Sequence, residues 1–332
     1  MNEWDGKPYY PISKFYKEEF GGKVFKVPVA LADDCPNRRG LKGMEVCTFC
    51  DVHGSFAYPE NANQQLREQI EMHMEKVGQR CNTNTFLIYF QAYTTTFLQL
   101  KRLKEAFDIA LSYDNVVGIV VGTRPDCLSD AVLRTWDEYS KKTFVAVEVG
   151  VQSFDNKQLD WMKRGHDRAQ SIAGIQRIRR HCPDVNLGVH LMFGWPGETQ
   201  LDVEMAAKIC NQLPIQNVKL HNLHVLKETP LEKTYLKGEF TPLTLEEYSE
   251  SVSTFLSHLS PDLAIHRLAA LASRWEELVA PAWARHRMRN FQSIIDYLHD
   301  RDIYQGKHYN SQEKNLLEGD KDLSQSYWEN SL

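Results

Sequence analysis

A chain of 332 residues with 42% hydrophobic, 25% charged and 11% aromatic residues, 39 basic against 44 acidic side chains and a formal net charge of -5 has the composition of a globular protein able to bury a sizeable core. Its longest apolar runs, at 116–121 and 144–151, fall far short of the ~20 residues of a membrane span, and no basic stretch leads into an apolar run near residue 1, so neither membrane insertion nor secretion is expected. The mild acidity, with a pI near 6.2, argues against an overall nucleic-acid-binding coat.

The first 24 residues are rich in aromatics, Tyr9, Tyr10, Phe15 and Tyr16 among them, and are expected to pack on the outside of the main fold. From residue 25 short β-branched runs alternate with longer amphipathic stretches, the pattern of parallel strands joined by crossover helices. Strands are predicted at 27–32, 85–90, 116–122, 143–151, 185–193 and 217–225, with helices between them at 59–77, 97–112, 129–141, 167–181 and 198–212. Six βα units without a seventh and eighth predict an α/β fold, an open partial (β/α)6 barrel over residues 25–228. Beyond it helices at 244–259, 275–283 and 291–299, with one extended piece at 263–267, predict a mainly helical C-terminal extension over 229–305 that covers the barrel. Residues 306–332 are polar and aperiodic and read as a loosely ordered tail.

Right-handed crossovers bring all strand C-terminal loops to one face, where barrel enzymes assemble their chemistry. Directly after the first strand, Cys35, Cys47 and Cys50 crowd one loop, whereas Cys81, Cys127, Cys182 and Cys210 are scattered and read as small buried apolar residues. Cysteines so distributed do not form a disulfide framework and favour the reducing cytoplasm, with one metal or redox site. Three thiolates leave a coordination position open, as on a 4Fe-4S cluster with one free iron. The alternative is a Cys3His zinc site completed by His53, in a zinc-stabilised binding or adaptor protein without turnover.

The loop ending in Cys47-Thr48-Phe49-Cys50, with an aromatic before the last cysteine, resembles the radical S-adenosylmethionine superfamily. Cys35-Pro36-Asn37-Arg38, Phe90-Gln91-Ala92-Tyr93-Thr94, Gly122-Thr123-Arg124-Pro125-Asp126-Cys127 and Lys219-Leu220-His221-Asn222-Leu223-His224 are similar to a narrower bacterial family that includes YhcC and YtqA. The resemblance implies a 4Fe-4S cluster on Cys35, Cys47 and Cys50, beside Phe49, and S-adenosylmethionine bound along the strand ends. The turn receiving the cofactor's amino group is then Gln91, Tyr93 and Thr94, here without a glycine. Residues 148–154 are similar to the corresponding segment of oxygen-independent coproporphyrinogen oxidases, which implies that Gln152 and Arg164 face the ribose or carboxylate. Glu148 suits a ribose diol, the alternative being a strand carboxylate paired to a lysine or arginine.

On the fifth strand His190, Gly194 and Gly197 are placed around the adenine. Relatives often carry aspartate where His190 stands and glutamate where Gly122 stands, so Thr123, Arg124 and Asp126 are the candidates to take over polar contacts. His221, His224 and Lys227 end the sixth strand, one histidine being expected to face inward. The implied reaction is reductive cleavage of S-adenosylmethionine to a 5'-deoxyadenosyl radical that abstracts hydrogen from a C–H bond, with an electron donor such as flavodoxin or ferredoxin. Arg38, Arg39, Arg285, Arg287 and Arg289 make tRNA, as in a tRNA modification, the first substrate to consider, with a small metabolite close behind. No residue is assigned to catalysis on the final substrate.

Overall fold

Along Phe25–Val29 and Phe144–Gln152 hydrophobic residues alternate with small or polar ones, whereas Phe86–Phe90 is hydrophobic throughout, and alternate positions fall on the two faces of one sheet. The computed structural model describes residues 4–32, 34–51, 64–270, 272, 275–312 and 315–317, and of Arg287 the backbone alone. His53, the start of the predicted helix 59–77 and most of the predicted tail lie outside the described residues. The strands are β1 (Phe25–Val29), β2 (Phe86–Phe90), β3 (Val116–Thr123), β4 (Phe144–Gln152), β5 (Asn186–Phe193), β6 (Asn217–Asn222), β7 (Val225–Leu226), β8 (Ala264–Ile265) and β9 (Leu278–Ala280). The helices are α1 (Ile12–Phe20), α2 (Leu66–Cys81), α3 (Leu100–Leu111), α4 (Asp130–Ser140), α5 (Asn156–Trp161), α6 (Arg168–His181), α7 (Gln200–Gln212), α8 (Pro230–Leu236), α9 (Leu245–His258) and α10 (Arg287–Asp300).

One parallel sheet runs β1-β2-β3-β4-β5-β6-β8, and with its helices it forms the partial barrel. Its outer face carries Val27, Ile88, Val121, Val147, Val189 and Leu220, packed with Ile70, Phe107, Trp136, Ile175 and Ala207 of the crossover helices. Several helices begin where the sequence places a capping residue. Ser129 caps α4, and Asp167, Thr199 and Thr244 form capping boxes on α6, α7 and α9. Each such cap satisfies backbone N–H groups that would otherwise lack partners. Among the described residues no helix is long and apolar enough to cross a membrane.

Three expectations are corrected. The aromatic N-terminal segment does not lie outside: α1 packs on the inner face, where Tyr16 joins Leu87, Tyr89, Val120 and Ala146, and Phe15, Tyr16 and Phe20 surround Phe144. The predicted sixth strand splits at Asn222, and Val225–Leu226 turns away to pair antiparallel with β9. The predicted helix 275–283 is a single 3-10 turn followed by β9, because Pro281 lacks an N–H and biases the residue before it toward an extended backbone. The extended piece near 263–267 pairs in parallel with β6 as a short seventh strand, β8, while α9 buries Tyr248, Val252 and Phe255 in the outer core.

Candidate active site

The loop after β1 is fixed by hydrogen bonds before any ligand is considered. Cys50 N–H donates to the Cys47 carbonyl (3.0 Å), closing a tight turn that brings two thiols side by side. Asn37 donates through Nδ2 to the carbonyls of Glu45 and Lys163, both at 2.7 Å, and its Oδ1 accepts from Arg124. Arg124 also donates to the Arg164 carbonyl (2.7 Å) and to both oxygens of Asp126 (2.9 and 2.8 Å). Thus one buried asparagine and one buried arginine tie the cysteine loop to the end of β3 and to the segment that follows α5. Gly165 completes the fit: its φ is +70°, and a Cβ there would lie 2.6 Å from Met44 Sδ of the loop.

Two guanidinium groups flank the thiols. Arg164 Nη1 lies 3.5 Å from Cys47 Sγ, and Arg38 Nη2 lies 3.8 Å from Cys50 Sγ. Burial, reinforced by neighbouring Cys47, pushes the Cys50 thiol up to about 12, against the pull of Arg38. Arg38 Nε and Arg164 Nε are buried without a partner. Around them stand Tyr93, with the Arg38 guanidinium 5.3 Å from its ring, and Phe49, 5.9 Å from both Arg164 and Trp195.

These groups line one cavity of about 230 Å3 at the C-terminal ends of the strands. Of the residues predicted from the sequence, Cys35, Cys47, Cys50, Phe49, Gln91, Tyr93, Thr94, Arg124, Glu148, Gln152, Arg164 and His190 all border it. The backbone at Gln152 is left-handed (φ 73°) beside an irregularity in the β4–β5 register. Its side chain lies over Gly150, where a Cβ would come within 2.9 Å of Gln152 Nε2. Three predicted positions do not border the cavity. Asp126 is buried behind it as the counterion of Arg124. Gly194 packs against Leu243 and Leu223 while its N–H donates to Glu198 (2.6 Å), and Gly197 sits on the exposed turn beyond.

The cavity floor holds groups that the sequence alone does not assign. Glu148 is buried, and both its oxygens are taken by side chains. Oε1 faces Lys26, while Oε2 accepts from Lys219 (2.8 Å) and from His190 Nε2 (2.5 Å). His266 donates through Nε2 to Asn217 Oδ1 (2.6 Å), which leaves its Nδ1 to accept from Lys26 (3.0 Å). That pattern requires a neutral His266, and burial does hold its pKa well below the usual histidine range. Burial and the Lys219 charge likewise push His190 down to about 4. Lys219 and Lys26, with the hydrogen bond from His190, hold Glu148 well below the ordinary carboxylate range despite its burial. Gly188 makes room for this arrangement, since a Cβ there would lie 1.9 Å from Asn217 Oδ1.

His221 and His224 both border the cavity, and Arg267 donates to the His221 ring at 2.8 Å. Lys227 contributes a backbone bond to Glu277 instead. Lys26 and Lys219, absent from the sequence-derived set, carry one local signal, a cation inside an apolar strand: Phe25-Lys26-Val27 and Val218-Lys219-Leu220. Asn37 carries another, as the second residue after Cys35.

The donor set fits a 4Fe-4S cluster. Among the described residues no three His, Cys, Asp or Glu side chains converge on one point, as a single bound ion requires. Three free thiols instead border one cavity, the arrangement a cluster needs when each of three irons takes its own thiolate. The unpartnered Arg38 and Arg164 Nε–H groups beside them are donors suited to cluster sulfur. Replacing Asn37 by alanine should remove the clamp on the loop and leave all three thiols in place. Iron retention under a chelator challenge is expected to fall ~10–100-fold, the range for residues that orient metal ligands; retention equal to the native protein's would refute the clamp.

Comparison with known proteins agrees with this geometry. The chain matches the Radical SAM superfamily over residues 31–210 and the Radical_SAM C-terminal domain over 215–300. YtqA of Bacillus subtilis is 32% identical over 303 residues, covering 91% of this chain and 93% of its own. YhcC of Escherichia coli is 33% identical over 287 residues, covering 86% and 90%. Among solved structures, archaeal Methanocaldococcus infernus Elp3 has the same fold, with a TM-score of 0.63 at 20% identity over 85% of this chain and 64% of that one. These matches displace the zinc-adaptor alternative. The chain belongs to the radical SAM superfamily, and it is accordingly an enzyme whose cofactors are a 4Fe-4S cluster and S-adenosylmethionine.

Proposed function

We propose that this enzyme cleaves S-adenosylmethionine reductively and uses the resulting radical to take a hydrogen atom from a small molecule held on the barrel floor. The observation that carries the reading is the meeting of three thiols from one loop with the ends of β2 to β6 on a single cavity. When bound, the cofactors supply a one-electron cleavage of the bond between sulfonium sulfur and C5', giving methionine and a 5'-deoxyadenosyl radical.

The chain's own part is positional. Cys35, Cys47 and Cys50 hold the cluster, with Arg38 and Arg164 offering N–H groups to its sulfur. The turn at Gln91, Tyr93 and Thr94 offers backbone groups to the amino acid part of the cosubstrate. Gln152 and Arg164 stand at the end of β4 to meet its ribose or carboxylate, and Arg124 keeps the loop in register with the segment that follows α5. Met192, Leu223 and Leu226 give the cavity an apolar wall that excludes water from the reacting atoms. The family requires a reductant; a flavodoxin or ferredoxin of the cytoplasm is the donor we assign.

For the substrate, the arginines that favoured tRNA divide. Arg38 turns inward to Cys50, and Arg39 pairs with Asp34. Arg285 and Arg289 are exposed, and Arg285 donates to the Leu278 carbonyl (3.0 Å). The cationic groups concentrated inside the cavity favour a small metabolite over a tRNA modification.

The test is anaerobic reconstitution to about four irons per chain, reduction with dithionite, and chromatography of the products. Methionine and 5'-deoxyadenosine are expected in equal amounts, slowly without substrate. A fully loaded, reduced protein that forms neither would overturn the proposal.

A further inference from the structure

Building on the reading that the substrate lies on the barrel floor, we propose that this floor recognises an oxyanion of the substrate, a carboxylate or a phosphate, at Lys219, with a further oxygen of the same molecule on Asn222. Two independent observations support it.

The first is a count of charges. Lys26, Lys219 and Glu148 are interior groups, and the histidines touching them, His190 and His266, are neutral. Two ammoniums therefore share one carboxylate. Lys26 is enclosed, with Glu148 and His266 as acceptors and the rings of Tyr16 and Tyr89 at 5.9 and 5.4 Å. Of the two lysines Lys219 borders the cavity, which Arg124, Arg164 and Arg267 also line. Its ammonium lies 2.8 Å from Glu148 Oε2, 3.2 Å from the Tyr89 hydroxyl and 4.8 Å from the Tyr89 ring centre. An ammonium has three N–H groups, so two oxygen acceptors leave a third for a ligand. Among the described residues Glu148 is the carboxylate in contact with Lys219, and it is already shared. A buried charge in excess of its counterions is costly, and an arriving anion removes that cost. Burial, with the charges of Arg267 and Lys26 against the pull of Glu148, pushes the Lys219 ammonium down to about 7.

The second observation is Asn222, at the end of the same strand. It is 2% exposed and borders the same cavity. Its Oδ1 accepts from the Ala270 N–H (2.9 Å), while Nδ2 has no partner. A buried amide donor left unpaired is costly, and a ligand oxygen in the cavity would satisfy it. Asn222 lies three positions after Lys219 along β6, about 10 Å of strand. One ligand meeting both therefore carries its anionic group and its second oxygen some bonds apart.

The inference is tested by binding rather than turnover. Reconstituted enzyme with S-adenosylmethionine present is titrated anaerobically, by calorimetry, with inorganic phosphate and with succinate, against chloride at equal ionic strength. Saturable binding of either anion, and none of chloride, is expected; which anion binds more tightly separates a phosphorylated substrate from a carboxylic acid. Asn222→Ala should weaken that binding about tenfold or more, the effect of losing a hydrogen bond to a charged group, and Lys219→Met should abolish it. Should Lys219→Met misfold by circular dichroism, Asn222→Ala decides alone. Absence of saturable binding, or binding that well-folded variants leave unchanged, overturns the inference. Enzyme that cleaves S-adenosylmethionine but ignores both anions refutes the anion site alone. Enzyme that binds them through Lys219 without cleaving refutes only the proposed reaction.

Discussion

Alanine at any one of Cys35, Cys47 or Cys50 should eliminate both the visible absorption of a reconstituted iron–sulfur centre and the release of 5'-deoxyadenosine. The expected loss is complete because, on the proposed assignment, each thiol would hold a different iron and none could stand in for another. The other cysteines provide the control. Cys182 and Cys210 are fully buried in the outer core, and Cys81 is packed against it. Cys127 is the demanding case, since it follows Asp126 and lies near Cys35 without bordering the cavity. Alanine at Cys81, Cys127, Cys182 or Cys210 should leave about four irons per chain bound. If Cys127→Ala lost iron as completely as Cys35→Ala, the three-ligand assignment would be wrong.

The second large effect is on stability. Glu148→Gln keeps the shape of the side chain and removes the carboxylate that Lys26 and Lys219 share. Breaking a buried ion pair from one side costs ~3–5 kcal/mol, because the partner charge stays buried without compensation. A lower urea midpoint at pH 7 is the expected reading. Its pH dependence separates charge from packing. In the native protein Lys219 is depressed to about 7, so between there and the ~10.4 of an unfolded lysine the unfolded state binds more protons, and stability rises with pH. Without Glu148 both lysines fall further, so the rise begins at lower pH and is larger. The deficit of the variant should therefore shrink between pH 7 and pH 9. At the acid end the sign is reversed for the carboxylate itself. Glu148 is held below its ordinary value, so its contribution is present above ~4.3 and is lost as pH falls through its folded pKa. The variant lacks that acid limb. A deficit independent of pH would mean that shape, not charge, is what Glu148 contributes.

The parts of this molecule legible in the sequence are those written in local pattern. The strand runs at 116–122 and 143–151, the capping residues Ser129, Asp167, Thr199 and Thr244, and the Cys47-Thr48-Phe49-Cys50 turn each declare themselves within a few residues. The floor of the cavity does not. Lys26 meets Glu148 across 122 residues and His266 across 240, so no window of sequence contains the network. Short elements escape for a related reason. Leu278–Ala280 is a strand through its partner β7, and three residues carry too little period to announce one, whereas the extended piece at 263–267 is legible. The sequence misplaces α1 because its aromatics fit either surface of a sheet. Only the opening beside Leu87, Tyr89 and Ala146 shows which one.

The docking of α1 also fixes an order of events during synthesis. Tyr10 N–H bonds Gln305 Oε1 across 295 residues, and its carbonyl accepts from Ile265 N–H at 2.7 Å. The segment before β1 thus waits for residues near 265 and 305, and contacts so distant in the chain form late. Until then Tyr16 is not beneath Lys26, and the polar network above it stands open to water from below. The cluster loop, complete by residue 50, emerges long before the barrel that shelters it. Iron loading of that loop is therefore expected to follow the docking of α1, and deletion of α1 should be felt first as poor cofactor occupancy.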